Sequence, residues 1–181
     1  MFFCVRVFVV LLATLFPILA MNPPTAAAQP AEKKAAAIDF TVLPSHVQFN
    51  PITVPIDNAN PARSMVTIYL GPHDREKIGF LCRMAPRIND AVLSALSREP
   101  VPVKNRKLDV GNVGPRLLGP INAAIGENLV KEVHVLPGPP QAERGTFAKL
   151  PFGNAGGCKG ITDMLERLER QQQQEEANKK H

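Results

Sequence analysis

The chain has no tryptophan and a single tyrosine, which makes it a poor candidate for recognition through aromatic surfaces. It has no run of four or more lysines and arginines. Its net charge of +5 is spread among acidic residues, which describes a soluble basic surface rather than a nucleic-acid or anionic-lipid patch. H-x-H and H-E-x-x-H pairs, paired Cys/His ligand spacings, G-x-S-x-G, the P-loop and the dinucleotide glycine pattern are all missing. G-N-V-G-P at 111–115 and G-N-A-G-G at 153–157 are rich in glycine but do not have the spacing that cradles a phosphate. The core-region carboxylates Asp74, Asp90 and Asp109 read as helix caps or helix-face residues, not as an acid/base pair. The expectation is a non-catalytic protein with no cofactor and no metal.

Against those absences stands a chain of 181 residues, one domain's worth, with 45% apolar residues, enough for a core. Eighteen prolines beside twelve glycines argue for many loop boundaries and against long uninterrupted helices.

Arg6 precedes an unbroken apolar run from Val7 to Met21. Asn22-Pro23-Pro24 ends the run, and an A-x-A site follows at Ala26 to Ala28. These are the parts of a secretory signal peptide, with cleavage expected before Gln29. The run is shorter than the roughly 18–20 residues that cross a bilayer comfortably, and it contains Pro17. The alternative is an uncleaved anchor that tethers the domain outside the membrane. Either reading exports the protein to the periplasm and sets nucleic acid aside as a partner. Cys4 precedes the apolar run, too early for a lipidation site. Cys82 and Cys158 are left in an oxidising compartment, where they can form a disulfide or remain two separate thiols.

Residues 29–39 read as a flexible tether. Val47 and Phe49, then Ile52, Val54 and Ile56, alternate at period two on either side of a break at Asn50-Pro51, an edge-type strand. Turn residues follow at 57–61. Asp57, Asn58 and Asn60 lack the glycine and terminal glutamate of a calcium loop. Ser64 to Leu70 is a second strand, and the two predict an antiparallel hairpin. Asp74 can cap a helix over Lys77–Ser97, with Ile78, Leu81, Met84, Ile88, Val92 and Leu96 as its apolar stripe. Pro86 either kinks this helix or opens its main part. Val101 to Lys107 reads as a polar loop, and Asp109 or Asn112 as the start of a second helix. Pro115, Pro120 and three glycines predict that this second helix is broken, with Gly126 as its stop. Val130, Val133 and Val135 form a β-prone run ending at Pro137. Residues 138–160 read as a Gly/Pro-rich loop. Residues 161–181 read as an amphipathic helix, its apolar face made by Ile161, Met164, Leu165 and Leu168, followed by a frayed tail.

The fold class expected is α+β: a small antiparallel sheet packed against two helices, plus a C-terminal amphipathic helix, with the domain spanning 40–137. His46, His73, His134 and His181 are dispersed. His46 and His134 fall on strands that can be neighbours. They are read as strand-face histidines, with a metal ion as the minority alternative. Arg83, Arg87 and Asp90 lie opposite the apolar stripe, as either a partner-contact face or a solvated one.

Several local patterns then follow in one order. They are M-x-P-R-I-x-D-A-V-L-x-x-L-S at Met84 to Ser97, L-D-V at Leu108 to Val110, L-x-x-x-I-N at Leu117 to Asn122, and V-x-x-V-x-V at Val130 to Val135. Together with the strand before the first helix, they resemble the periplasmic domain of the FliL-like flagellar basal-body-associated family, over roughly Phe40 to Leu136. The resemblance implies a stomatin/prohibitin-like domain close to the inner membrane through its leader or a partner. It also implies protein partners among the stator components of the flagellar motor, and self-association. The competing expectation is an exported envelope adaptor of the same fold with no flagellar role. A third is a periplasmic enzyme or metal carrier dependent on His46.

Overall fold

The computed structural model describes residues 38–57, 62–142 and 146–179. The leader with Cys4, the first nine residues of the tether, turn residues 58–61 and His181 lie outside them. No helix among the described residues is long and apolar enough to cross a membrane.

A long central strand organises the sheet. β1 (His46–Gln48) and β2 (Ile52–Asp57) lie along one edge of β3 (Ala62–Pro72), both antiparallel to it. They are separated at Asn50-Pro51, where proline has no N–H to offer the ladder. The β2–β3 pairing runs from Ile52↔Val66 to Ile56↔Ala62, as the alternation predicts. β6 (Val130–Pro137) pairs antiparallel along the other edge of β3, from Val66↔Pro137 to Pro72↔Val130.

The sheet is larger than the sequence suggests, and it is mixed rather than purely antiparallel. β4 (Val101–Lys104) runs parallel to β2, and β5 (Lys107–Leu108) folds back on β4. The stretch read as a polar loop is therefore a small hairpin. Its turn places Asn105 and Arg106 at φ 50° and 60°, the left-handed pair that matches strand twist. The Gly/Pro-rich stretch is irregular at 138–142, as expected, but from Phe147 onward it is not a loop. β7 (Phe147–Leu150) and β8 (Gly153–Gly157) form a hairpin, and β8 runs parallel to β1. The domain thus extends beyond residue 137, since its eighth strand lies beside its first.

Period two divides β3 cleanly. Val66, Ile68 and Leu70 join Val47, Val133 and Val135 in the core, while Thr67, Tyr69 and Gly71 point to the other face. All four helices belong to the core face. The Asp74 carboxylate accepts from the Glu76 N–H at 2.9 Å and caps a 3-10 turn that leads into α1 (Ile78–Arg83). The helix is interrupted at Met84, and α2 (Ala85–Arg98) starts with Pro86 in its first turn, where a missing N–H costs nothing. Ile78, Leu81, Ile88, Val92 and Leu96 are all buried, each contributing about 1.5–3 kcal/mol relative to exposure.

α3 (Val113–Ile125) is one continuous helix, not the broken one expected. Pro115 falls in its first turn. Pro120 is exposed, so the carbonyl it leaves without an intrahelical donor is on the solvent side. Gly126, at φ 81°, ends it by donating to the Asn122 and Ala123 carbonyls.

α4 (Cys158–Asn178) begins three residues before its predicted start, directly after β8. Ile161 is buried and Met164 and Leu165 pack against the core, whereas the later turns are largely exposed. Cys158 forms a disulfide with Cys82 on α1, with Cα atoms 5.3 Å apart, which anchors the start of α4 to the helical layer.

Candidate functional site

Chemistry-bearing residues gather on the sheet face that the helices leave open. β1 and β3 pair Val47 with Leu70 and Gln48 with Tyr69, so one step further along that register sets His46 opposite Gly71. Across the next ladder Gly71 is opposite Glu132, and Tyr69 is opposite His134. Two rows result, His46–Gly71–Glu132 and Gln48–Tyr69–His134, with side chains on the same face.

Gly71 decides how the first row closes. A Cβ there would stand 2.6 Å from Glu132 Cγ. The bare backbone lets the side chains of His46 and Glu132 lean over the middle strand and meet. His46 Nε2 is 3.4 Å from Glu132 Oε1, and His134 Nε2 is 3.2 Å from Glu132 Oε2. Donor atoms of the three residues lie within 4.8 Å of one another. Lys131 Nζ, on a half-exposed side chain, also approaches Glu132 Oε1 at 3.4 Å. Phe152 forms a wall, its ring stacked on His134 at 3.9 Å and edge-on to His46 at 5.0 Å.

His46 is 2% exposed, and its Nε2 makes no hydrogen bond among the described residues. Its other nitrogen, Nδ1, is 2.9 Å from Ser45 Oγ, and that hydroxyl donates to the Asn154 carbonyl at 3.0 Å. With the hydroxyl donating to that carbonyl, Ser45 accepts from Nδ1–H, and the neutral imidazole turns a lone pair from Nε2 toward the carboxylate; with the hydroxyl donating to Nδ1 instead, the ring proton sits on Nε2. Burial holds the His46 pKa below its usual 6.5, only partly offset by the charge of Glu132. Burial also opposes ionisation of Glu132, but hydrogen bonding with His134 and Lys131 outweighs it and leaves that carboxyl below 4.5.

Gln48 and Tyr69 of the second row hold the residues after β6, Gln141 and Ala142, in place. Gln48 Oε1 accepts from the Gln141 and Ala142 N–H groups at 3.0 and 2.7 Å, and Gln48 Nε2 donates to the Ala142 carbonyl at 3.0 Å. Gln141 N–H also approaches Tyr69 Oη at 3.2 Å, and burial raises the Tyr69 pKa above 10.

The structure joins the two cysteines that the sequence singled out. It places Arg83, Arg87 and Asp90 on the exposed side of α1 and α2, with the Arg83 guanidinium 5.7 Å from the centre of the Phe80 ring. Arg83 and Phe80 also border a groove of about 410 Å³ with Leu165 and Glu169 of α4. His46 and His134 do meet, with ring centres 5.4 Å apart, but not from neighbouring strands: β3 lies between β1 and β6, and the two rings approach across it. Glu132 was the residue missed. Its signal was the alternation of β6, which sends Glu132 and His134 to the face opposite Val133 and Val135. No protein-family model, curated protein or solved structure matches the chain.

Proposed function

We propose that this is an exported, non-catalytic accessory protein of the FliL-like kind, acting by protein–protein contacts near the stator of the flagellar motor. The observation that carries the reading is the use made of the stretch from Met84 to Leu136. Its apolar positions Ile88, Val92, Leu117, Ile121, Val130, Val133 and Val135 are buried as scaffold, while Arg87 and Asp90 remain at the surface. Asn122, which closes the L-x-x-x-I-N pattern, ties α3 to β6 with two hydrogen bonds to Val130. A stretch given over to packing beneath a charged exposed helix face suits a protein that works by contact. The outer turns of α4, exposed beyond the core, add a second surface for a partner or another copy.

Crosslinking in intact cells of a flagellated host, followed by recovery of the protein, tests the reading. Stator components should be captured, and deletion should impair swimming. Capture of unrelated envelope proteins with normal swimming would replace it with an envelope adaptor of the same fold.

A further inference from the structure

We infer that His46, Glu132 and His134 form a binding site for one divalent transition-metal ion of the zinc class, on the sheet face opposite the helices. The donor set is two imidazoles and one carboxylate, which suits Zn²⁺ and its neighbours Co²⁺, Ni²⁺ and Cu²⁺ better than the oxygen-seeking Mg²⁺ or Ca²⁺. Metal–ligand bonds of about 2.0–2.2 Å at tetrahedral angles set neighbouring donors about 3.3–3.5 Å apart. The two histidine–carboxylate separations here are 3.4 Å to Oε1 and 3.2 Å to Oε2, and the three donor atoms lie within 4.8 Å of one another, so the side chains close on an ion by drawing together.

Independent of this spacing is the state of His46. Its Nε2 is buried, makes no hydrogen bond and stands 3.4 Å from Glu132 Oε1. A buried polar atom without a partner is costly, and a cation held between it and the carboxylate would satisfy both. Ser45 Oγ, 2.9 Å from Nδ1, is placed to accept from it and so free Nε2 for an ion, as outer partners of metal-binding histidines commonly do. Gly71 supplies the room for Glu132 to reach inward. The Lys131 ammonium now beside Glu132 belongs to a side chain 50% exposed, so it can withdraw into solvent as the ion enters. Glu132 and His134 are partly exposed, which gives the ion an entry path and leaves its fourth position to water. Bound there, the ion would tie β1 to β6 across β3. The site rests on these residues alone and does not depend on the accessory role proposed above.

The test uses untagged mature protein, stripped with chelator and titrated calorimetrically with Zn²⁺, with Co²⁺ as a spectroscopic probe. One Zn²⁺ should bind per chain, and Co²⁺ should give the visible absorption of a tetrahedral nitrogen/oxygen site. Glu132→Gln and His134→Ala, at partly exposed positions, should each weaken binding at least tenfold while the protein stays folded by circular dichroism. Ser45→Ala, which removes a positioning residue, should weaken it about tenfold. His46→Ala should abolish binding, and because His46 is buried the other variants stand in if it fails to fold. Absence of stoichiometric Zn²⁺ binding would overturn the assignment. So would binding that Glu132→Gln and His134→Ala leave unchanged, because the ion would then be held elsewhere.

Discussion

Asn122 on α3 and Val130 on β6 are joined by a reciprocal pair of hydrogen bonds. The amide nitrogen of Asn122 donates to the Val130 carbonyl at 2.9 Å, and its oxygen accepts from the Val130 N–H at 2.9 Å. Val130 is 1% exposed and begins the strand that carries Glu132 and His134. Asn122→Ala would leave both of its backbone groups without that partner in a buried place, at about 1–3 kcal/mol for each. The expected loss is about 2–6 kcal/mol, seen as a lower urea midpoint with an unchanged slope. A variant as stable as the parent would mean that solvent reaches Val130.

That bond was half legible in the sequence. The spacing of Leu117, Ile121 and Ile125 announced a helix face, and Asn122 stood next to it in a pattern of known order. What Asn122 bonds to depends on how Gly126 turns the chain back toward β6. The helix itself was misjudged for a physical reason. Propensity counts Pro120 and the glycines against α3, but Pro120 faces solvent, while the buried Leu117 and Ile121 are held by packing. β8 escaped notice because G-N-A-G-G has no β-branched or aromatic residue. It is a strand because β1 lies beside it, with Ala155 fully buried. The histidine site was the least visible. It needs a register relating three strands distant in sequence, and its central position is marked only by the side chain that Gly71 lacks.

The disulfide between Cys82 and Cys158 spans 76 positions and fastens α4 to α1. Closing a loop of that length restricts the unfolded chain by roughly 4 kcal/mol in the entropy model. Cys82→Ser combined with Cys158→Ser should therefore lower the unfolding free energy by up to about 4 kcal/mol. Reductant should lower the parent to the same level and leave the double variant unmoved. A parent indifferent to reductant, with free thiols detected by mass, would contradict the bond.

Gly114 sits where α3 presses on β6. A Cβ at this position would run into the carbonyl oxygen of Val133, which is backbone and cannot swing aside. Gly114→Ala should favour the helix intrinsically by about 0.8–1.0 kcal/mol, yet the overpacking it forces typically costs about 1–3 kcal/mol or more. Destabilisation is the expected sign, read from thermal unfolding. Gly119 on the same helix has open space around its Cβ position, so Gly119→Ala should be neutral or stabilising and serves as the control. Equal effects of the two substitutions would show that helix propensity, not the approach to Val133, governs both.

Arg83 and Arg87 offer the sharpest separation between scaffold and contact surface. Both are exposed, and neither belongs to the buried stripe of Ile78, Leu81, Ile88 and Val92. Reversing their charge with Arg83→Glu and Arg87→Glu should change stability by only about 0.5 kcal/mol, the usual range for surface positions. Charge reversal at the rim of an interface acts mainly on association rate and its salt dependence, whereas within a contact patch it sets like charges together at a cost of several kcal/mol. If this face meets an acidic partner, crosslinking yield in cells should collapse while circular dichroism and the unfolding midpoint stay at parent values. If the face is only solvated, yield and stability should both be unchanged, and contact would shift to the exposed turns of α4. A joint fall in yield and stability would instead place the arginines in the packing of α1, through the stacking of Arg83 on Phe80.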